Sequence, residues 1–522
     1  MMINPYRSTS KWLAVVPVLM MLVFVVAPVS NIFITSLNIE SFAIIARQTT
    51  RNTVWFTTWQ AIVSTILVLL FALPIAAITA NFEFFGRRAL ISLISVPFIL
   101  PTVVVGAAFL ELLPSTIHRS ALAIIIAHIY FNFGLVVRLV STRWQQIHPH
   151  LDDVARTLGA SRTRLFLTVT LPLLKKSLLS AGLLVFLMCF TSYGVVRILG
   201  GPARSTIETE IYFRAMQLGD VSGALILSIL QLIVVAILIS LIMQFSRAKS
   251  AEFAQTVYSR IRKPQNSAQT LIVTLVAVTS TLVVILPLIS VVRRSILVGQ
   301  QINFSIWRSI FTDAEIFKSL TTSLRYAVFT VVISTTIGLL GACATVYGSR
   351  RYKFVNLLTA LPVVVSAVTL GLGLIITFDV DPIDWRGAWL MMPVAHCLVA
   401  VPIVMRIISP TIRDLPNGLR DASQTLGATT WQIWRTVDLR IIQPALVTAA
   451  AIACAVSLGE FGASSFLVRR NNETLPLTIS RLLARPGEII QARAYAIATL
   501  LIVACIAIVG LVDHLGTNKR GI

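Results

Sequence analysis

Charged side chains are scarce in this sequence, and its few cysteines never lie close together. Of 522 residues, 12% are Asp, Glu, Lys or Arg, whereas 56% are hydrophobic. Soluble domains carry about twice that share of charged residues, so a chain of several soluble domains is excluded. The cysteines stand singly in apolar runs, which excludes a disulfide framework and paired metal or redox motifs; we interpret them as small core residues. They are Cys189, Cys343, Cys397, Cys454 and Cys505.

Motifs for nucleotide or metal chemistry are also missing. The sequence has no G-x-x-x-x-G-K-[ST] loop to cradle phosphates, no H-E-x-x-H helix and no Cys/His cluster for a metal ion. We therefore predict that the chain is not an enzyme and holds no cofactor or metal.

Long apolar runs fill most of the chain. The mean hydropathy is +0.86, and runs of about 20 residues, enough to cross a bilayer as a helix, recur throughout. A helix satisfies its own backbone hydrogen bonds within lipid, so the predicted fold class is an all-α polytopic membrane protein in contact with the lipid bilayer. Twelve spans are predicted, at about 12–34, 58–80, 89–113, 120–142, 177–199, 221–245, 269–291, 323–346, 354–377, 387–409, 443–467 and 491–513.

The formal net charge of the chain is +22. A charge of this size is one signal of nucleic-acid binding, but membrane proteins concentrate Lys and Arg in their cytoplasmic loops. We prefer the second explanation and predict no nucleic-acid partner. If both termini lie in the cytoplasm, the larger excess of basic residues falls on the cytoplasmic side of the predicted spans. We therefore expect that orientation.

One sequence pattern occurs twice. The segment DVARTLG, which begins at Asp153, returns 268 residues later as DASQTLG, which begins at Asp421. At the same offset, His128 in the fourth predicted span matches His396 in the tenth. The chain is therefore predicted to be an internal repeat.

The repeat defines the expected domains. The first transmembrane domain is expected at 1–245 and the second at 269–522, joined by a basic cytoplasmic linker at 246–268. Each half has six predicted spans, an even number, so the halves share one topology. They are expected to be related by a pseudo-two-fold axis along the membrane normal.

The repeated segment is too polar to be a membrane span. In the first copy, acidic residues behind Pro149 suit the start of a helix, because they complement its dipole. Gly159 is suited to end or bend that helix, and the small side chain of Ala155 lets another surface come close. We expect a short helix, a glycine bend and a second helix, which together form a rigid projection.

An acid, small residues, a glycine and a later Leu-Pro at this spacing resemble the cytoplasmic signature of bacterial ABC importer permeases. The resemblance implies that each copy is a coupling helix docked in a cleft of an ATPase subunit. This chain departs from the pattern in having aspartate for glutamate, Val154 and Ser423 for alanine, and Arg440 for the final proline. The residues that the resemblance implies for coupling are Asp153, Ala155, Gly159, Leu171, Pro172, Asp421, Ala422, Gly427 and Leu439.

The resemblance covers nearly the whole chain and implies a type I importer permease with both halves fused. It further implies two copies of an ATP-binding subunit on the cytoplasmic side, a solute-binding protein outside, and the bacterial inner membrane as the location. Transport is expected to proceed by alternating access, because ATP closes the two ATPase subunits and moves the two signature helices.

Few polar groups lie inside the predicted spans. Glu460 lies within the eleventh span, where an unpaired carboxylate is costly, so we expect it to be buried and hydrogen-bonded near the path. Tyr193 and Phe461 occupy equivalent places in the two copies; lining the translocation path and packing in the core are equally good explanations for them. His128 and His396 are interpreted as satisfied bundle residues rather than metal ligands.

The cargo is the least determined part of the sequence interpretation. The stretches Cys189–Tyr193, Leu199–Pro202, Thr206–Tyr212 and Ser457–Gly462 resemble thiamine permeases, which implies thiamine or its phosphate esters. Ferric-iron permeases share part of this likeness and remain the alternative. A secondary transporter is the alternative of another class, but it needs coupling-ion carboxylates at mid-membrane, and Glu460 is the only deep one.

Overall fold

A computed structural model describes residues 10–36, 44–201, 204–246, 261–299, 301–348, 353–380, 383–385, 388–469 and 472–517. Most of the predicted linker, 247–260, and both chain termini lie outside these residues. The described chain is almost entirely helical. Its strands are two short pairs, Leu297–Val298 with Gln301–Ile302 and Asp379–Val380 with Ile383–Asp384.

The helices of the first half are long where the sequence is continuously apolar. Capping side chains set several starts: the Ser120 hydroxyl, for example, accepts a hydrogen bond from the Ala123 amide at 3.2 Å. The bounds are α1 Ser10–Met21, α2 Ala27–Ser36, α3 Gln48–Asn81, α4 Arg87–Leu93, α5 Val96–Ile99, α6 Thr102–Leu112, α7 Ala121–Gln145, α8 His150–Thr157, α9 Arg162–Leu165, α10 Leu171–Phe190, α11 Gly194–Leu199, α12 Ile207–Phe213 and α13 Val221–Ser246. The π-helical turn Leu22–Val26 joins α1 to α2.

The second half repeats this order. Its long helix α16 begins after Asp313, whose carboxylate accepts hydrogen bonds from the amides of Glu315 and Ile316. The bounds are α14 Ser267–Ile296, α15 Ser305–Thr312, α16 Ala314–Tyr347, α17 Lys353–Val364, α18 Ala367–Phe378, α19 Met391–Arg413, α20 Asn417–Thr425, α21 Thr430–Ile433, α22 Leu439–Gly459, α23 Gly462–Leu467, α24 Leu475–Leu483 and α25 Glu488–Thr517.

Two of the twelve predicted spans are sharply bent. Ten helices in the described residues are long and apolar enough to cross a membrane, or up to twelve spans if each bent pair is counted as one. The third predicted span bends by 102° between Ile99 and Thr102, and the ninth by 99° between Val364 and Ala367. Pro101 lies in the first break and cannot donate a helical hydrogen bond. In the second break, the Ser366 hydroxyl caps the new helix at the Thr369 amide.

The fifth and eleventh predicted spans, 177–199 and 443–467, have the wrong ends. The corresponding helical stretches are Thr163–Phe190 and Thr430–Gly459. A separate short helix follows each stretch, α11 after the first and α23 after the second. The sequence prediction includes these short helices in the fifth and eleventh spans. Hydropathy over a span-length window does not reveal these breaks, because each short helix still contributes apolar residues next to the span before it.

The described chain packs as two compact units, and these do not coincide with the sequential halves 1–245 and 269–522. One unit combines the described residues of Met1–Ile44 and Ile211–Leu232 with those of Val298–Ile522. In this unit, Ala14 of α1 packs with Ala344 of α16 and Val355 of α17. The first helix therefore packs with elements of the second half.

The other unit comprises Ile45–Glu210 and the described residues of Ile233–Leu297. Here α14, the first helix of the second half, packs against elements of the first half. The Tyr130 hydroxyl donates a hydrogen bond to the Val284 carbonyl at 3.2 Å, and the Ser290 hydroxyl donates to the Ala108 carbonyl at 3.3 Å. Long-range packing, which sequence order does not specify, decides this exchange.

Candidate functional site

Each copy of the repeated segment forms a short, solvent-accessible helix. In the first copy this is α8, with Pro149 at its N-cap and Asp152 and Asp153 in its first turn. A proline side chain cannot accept a hydrogen bond, so the two carboxylates favour α8 mainly through the helix dipole. In the second copy the helix is α20, and both Asp153 and Asp421 are exposed.

Glycine ends both helices in the left-handed conformation. The φ angle is +80° at Gly159 and +81° at Gly427. In the first copy, the Gly159 amide donates to the Arg156 carbonyl at 2.9 Å and the Ala160 amide donates to the Ala155 carbonyl at 3.0 Å. These two hydrogen bonds form a Schellman motif, which satisfies carbonyls at the helix end.

The second copy has the same motif. The Gly427 amide donates to the Gln424 carbonyl at 2.9 Å, and the Ala428 amide donates to the Ser423 carbonyl at 3.1 Å. A β-carbon built at Gly159 or Gly427 meets no atom within 4 Å. Backbone conformation, rather than close packing within this chain, is therefore what requires glycine at both positions.

A π-helical turn follows each loop, again at equivalent positions. The turn spans Phe166–Thr170 in the first copy and Trp434–Asp438 in the second. Such turns are rare and occur frequently at functional sites. Leu171 and Pro172 then begin α10, and Leu439 begins α22. The structure thus places all the signature residues of each copy on one continuous segment that leads from an exposed helix into a long one.

Two leucines project from these loops, and the signature analysis did not single them out. Leu158 is 82% exposed and its repeat equivalent Leu426 is 87% exposed. Val154, Leu419 and Trp431 are exposed beside them. Ala155 is partly buried and Ala422 is exposed. The repeat alignment was the signal available for finding the leucines, since they occupy the same place in both copies.

A buried ion pair fixes the second loop, and the first copy has other residues at the equivalent positions. Arg420 of α20 donates to both carboxylate oxygens of Asp438, each at 2.9 Å, and to the Tyr347 hydroxyl at 2.7 Å. Asp438 is fully buried. The repeat equivalents of Arg420 and Asp438 are Asp152 and Thr170, so the first copy cannot form the same pair.

Glu460 lies in the break between α22 and α23, where it is 6% exposed. Its carboxylate accepts hydrogen bonds from the Ala463 amide at 2.8 Å and the Ser464 amide at 2.9 Å, and also from the Ser464 hydroxyl. His396 Nε2 lies 3.6 Å from the carboxylate and 3.0 Å from the Ser464 hydroxyl oxygen. The predicted burial and hydrogen bonding of Glu460 are confirmed, and its contacts show that it caps the short helix α23.

The first copy lacks this network because Ser192 stands in place of Glu460 and Val196 in place of Ser464. His128 Nδ1 lies 3.4 Å from the Ser64 hydroxyl. Among the described residues, His128 Nε2 has no hydrogen-bond partner although it is buried. The expectation of a satisfied bundle histidine is therefore confirmed for His396, whose Nδ1 lies 2.8 Å from the Ser457 hydroxyl, but not for His128.

Tyr193 and Phe461 are both buried in the structure, each just before a short helix. The glycines that follow them allow close packing. A β-carbon on Gly194 would lie 2.1 Å from Thr102 Oγ1, and one on Gly462 would lie 2.9 Å from Ala367 Cβ. In each copy, the short helix thus packs on the helix that follows the sharp bend, α6 or α18.

A charged pocket of about 560 Å³ lies elsewhere in the second half. Its basic side chains are Lys318, Arg469, Arg481 and Arg485, and its acidic ones are Glu315 and Glu473. Arg481 Nε donates to Glu473 at 2.9 Å, and Nη1 donates to Glu315 at 3.3 Å. The hydrogen bonding of the Arg481 guanidinium to the Glu473 carboxylate is the main cause of a raised pKa at Arg481. Arg470, which follows Arg469 in the sequence, lies outside the described residues.

Comparison with known families accounts for the repeat. Residues 72–250 and 334–521 each match the family described as "Binding-protein-dependent transport system inner membrane component". The chain belongs to this family. The two matches confirm the predicted permease class and its two-copy organisation. Together with the many apolar helices, they establish a multi-pass protein of the inner membrane.

Curated relatives match the chain nearly from end to end. The thiamine transport system permease protein ThiP of Brucella abortus (strain 2308) is 27% identical over 489 residues, which cover 89% of this chain and 88% of that protein. ThiP of Escherichia coli (strain K12) is 25% identical over 497 residues, which cover 90% of each chain. The probable ABC transporter permease protein y4fN of Sinorhizobium fredii is 21% identical over 504 residues, with 90% of this chain and 88% of that protein covered.

Proposed function

We propose that this chain is the fused permease of an ATP-driven, binding-protein-dependent importer for thiamine or its phosphate esters. The observation that carries the proposal is the nearly end-to-end similarity to ThiP proteins. The resemblance of the segments around Cys189–Tyr212 and Ser457–Gly462 to thiamine permeases supports the same cargo.

The two exposed loops are the proposed contacts with two ATPase subunits. Each loop is a rigid unit, because a Schellman motif ends its helix, and each presents a leucine, Leu158 or Leu426, to solvent. Exposure of the same apolar side chain at the equivalent place in both copies supports a contact with the same kind of partner at each loop. Movement of the loops would pass through the π-helical turns to Leu171 and Leu439, where the long helices begin.

The proposed orientation places both loops and both termini in the cytoplasm. The positive-inside rule supports it, because the segments on that side carry the larger excess of Lys and Arg. The solute-binding protein would then dock on the opposite face. The test of orientation is reaction of a membrane-impermeant thiol reagent with a single cysteine introduced at Leu158. We expect reaction in inside-out vesicles and none in intact cells; the reverse would contradict the orientation.

We further propose that Tyr193, Glu460 and Phe461 lie beside the translocation path, at the two helix breaks. The bound carboxylate of Glu460 would hold the break in place rather than bind cargo. A cysteine at Tyr193 or Phe461 should react with a water-soluble reagent faster while the complete transporter hydrolyses ATP than at rest. A cysteine at Val15, on the exposed face of α1, is the control. Equal rates under both conditions would place the two aromatic residues in the core.

Uptake assays test the cargo. A strain lacking this permease is supplied with the chain and its partner subunits, and labelled thiamine and labelled ferric iron are offered separately. We expect thiamine uptake to be restored and iron uptake to be unchanged. Restored iron uptake without thiamine uptake would overturn the cargo and favour the ferric-iron alternative, while leaving the family membership intact.

The phosphate esters are a separate arm of the same assay. Thiamine is a cation and thiamine diphosphate an anion, so the basic side chains around Arg481 and Arg485 favour the ester electrostatically. Competition of each compound against labelled thiamine ranks them. A preference for free thiamine would assign the basic residues to docking of the binding protein instead.

A further inference from the structure

An apolar groove of about 760 Å³ runs along the surface between α3 and α10. Its walls include Ile62, Ile66 and Leu69 from α3, and Leu171, Leu179 and Phe186 from α10. The two helices come close at Gly182, where a β-carbon would lie 3.3 Å from Leu69 Cδ1. All of these residues belong to one compact unit.

The groove carries one positive charge, near the start of α10. Lys175 is the single charged residue among the described residues that line it, and it is exposed. Lys175 makes no ion pair or hydrogen bond that would occupy its ammonium group within the part of the chain that the structure describes. The Thr65 hydroxyl donates to the Ala61 carbonyl at 2.7 Å, so the wall offers little polarity elsewhere.

The part of the groove between Lys175 and Phe186 matches one leaflet of a bilayer in length. Lys175 and Phe186 stand eleven residues apart on α10, which corresponds to about 16 Å of helix. Half of the hydrocarbon core of a bilayer is about 15 Å thick. A chain of hydrocarbon that begins at the level of Lys175 would therefore fill the groove to its far end.

We propose that this groove binds one anionic phospholipid, with its phosphate on the Lys175 ammonium and one acyl chain along α3 and α10. The charge of Lys175, the apolar walls and the leaflet-length stretch from Lys175 to Phe186 together select a lipid of this kind over a soluble anion. Basic sites between membrane helices bind acidic headgroups in this way. Leu171 and Pro172 line the same groove about one helical turn before Lys175, so the phosphate would lie near the base of the first exposed loop.

The second copy does not preserve the elements of this site. The repeat equivalent of Lys175 is Gln443, and that of Gly182 is Ala450. The neutral side chain removes the attraction for a phosphate, and the added methyl group narrows the helix contact. The lipid site is therefore specific to the first copy.

Native mass spectrometry of the purified full chain, titrated with phosphatidylglycerol, tests the proposal. Lys175→Ala should weaken the first lipid-binding step about fivefold, the effect of one basic residue near an anionic lipid. Lys176→Ala is the matched control, because this neighbouring lysine is exposed but does not line the groove. It should leave the first step unchanged.

Two further arms identify the ligand. Leu179→Trp, which fills the groove and keeps Lys175, should also weaken phosphatidylglycerol binding. Phosphatidylcholine, whose headgroup has no net charge, should bind equally well to Lys175→Ala and to the unmodified chain. Glycerol phosphate, which has no acyl chain, should not compete. Equal losses in the two lysine variants, full binding by Leu179→Trp, or competition by glycerol phosphate would each overturn the proposal.

Discussion

At the scale of single residues, Gly159 and Gly427 show most clearly how backbone conformation determines the shape of the two loops. Both have φ near +80°, and neither is crowded by other atoms. A side chain at these positions would therefore cost backbone strain without creating a clash. This distinguishes them from Gly194 and Gly462, where a β-carbon would collide with a neighbouring helix.

The residue-scale prediction follows from this strain. Gly159→Val combined with Gly427→Val should reduce transport and uncouple it from ATP hydrolysis, because a β-branched residue in the left-handed region costs about 1–2 kcal/mol and would dissolve both Schellman motifs. The permease should still insert in the membrane. Transport and ATPase rates of the reconstituted importer, together with the amount of inserted protein, measure the effect.

Asparagine is the matched control, because it adopts the left-handed conformation more readily than valine. Gly159→Asn with Gly427→Asn should keep most of the transport activity. Normal transport by the double valine variant would show that loop geometry does not matter for coupling.

At the scale of elements, the two loops differ in how they are held. The ion pair between Arg420 and Asp438 ties α20 to the π-helical turn before α22, and Tyr347 joins it from the end of α16. In the first copy the equivalent positions, Asp152 and Thr170, cannot form such a pair. The Arg420–Asp438 pair is therefore a feature of the second copy.

Breaking this pair should destabilise the protein. Arg420→Ala leaves the Asp438 carboxylate buried without its cation, and loss of one partner of a buried pair costs about 3–5 kcal/mol. The double change Arg420→Met with Asp438→Thr should cost less, because no unpaired charge is left in the interior. Thermal and denaturant unfolding in detergent compares the variants.

Arg435→Ala is the control for the ion-pair prediction. Arg435 lies in the same π-helical turn but is exposed, so its loss should change the free energy of unfolding by less than about 0.5 kcal/mol. A similar small effect for Arg420→Ala would mean that the pair does not hold α20.

At the scale of the whole molecule, α1 and α14, the first helices of the two halves, each pack against helices that belong to the other half. Gly373 of α18 gives α2 room to approach, since a β-carbon there would lie 3.1 Å from Ile32 Cδ1 and from Pro28 Cβ. Asn31 Nδ2 donates to Thr377 Oγ1 at 3.2 Å in the same contact. The two sequence repeats are thus not the units of packing.

This exchange predicts where a substitution in α1 will act. Ala14→Trp should lower the stability of the protein by about 1–3 kcal/mol, the usual cost of overfilling a packed contact, because Ala14 is buried against Ala344 and Val355. Val15→Trp, one residue later on the exposed face, should be nearly neutral. Thermal unfolding in detergent separates the two; equal effects would mean that α1 is not an integral part of this unit.

Sequence patterns alone predicted the class of protein and the glycine-ended helices of the two loops. Runs of apolar residues reveal helices that cross a membrane because lipid imposes one simple requirement on every position. The repeated spacing from Asp153 to Gly159 and from Asp421 to Gly427 predicted a glycine-ended helix in both copies. Such features depend on neighbours within a few residues along the chain.

Other features depended on contacts between distant residues, and only the tertiary structure decided them. The sharp bends at Pro101 and Ser366, and the breaks at Ser192 and Glu460, lie within the spans predicted from hydropathy or next to their ends, because apolar residues continue on both sides of each break. The pairing of Arg420 with Tyr347, and of α1 with the second half, joins residues far apart in the sequence. The sequence by itself determined which segments enter the membrane and where the loop glycines stand; packing decided which segments meet, because burial rewards any complementary surface regardless of its position in the chain.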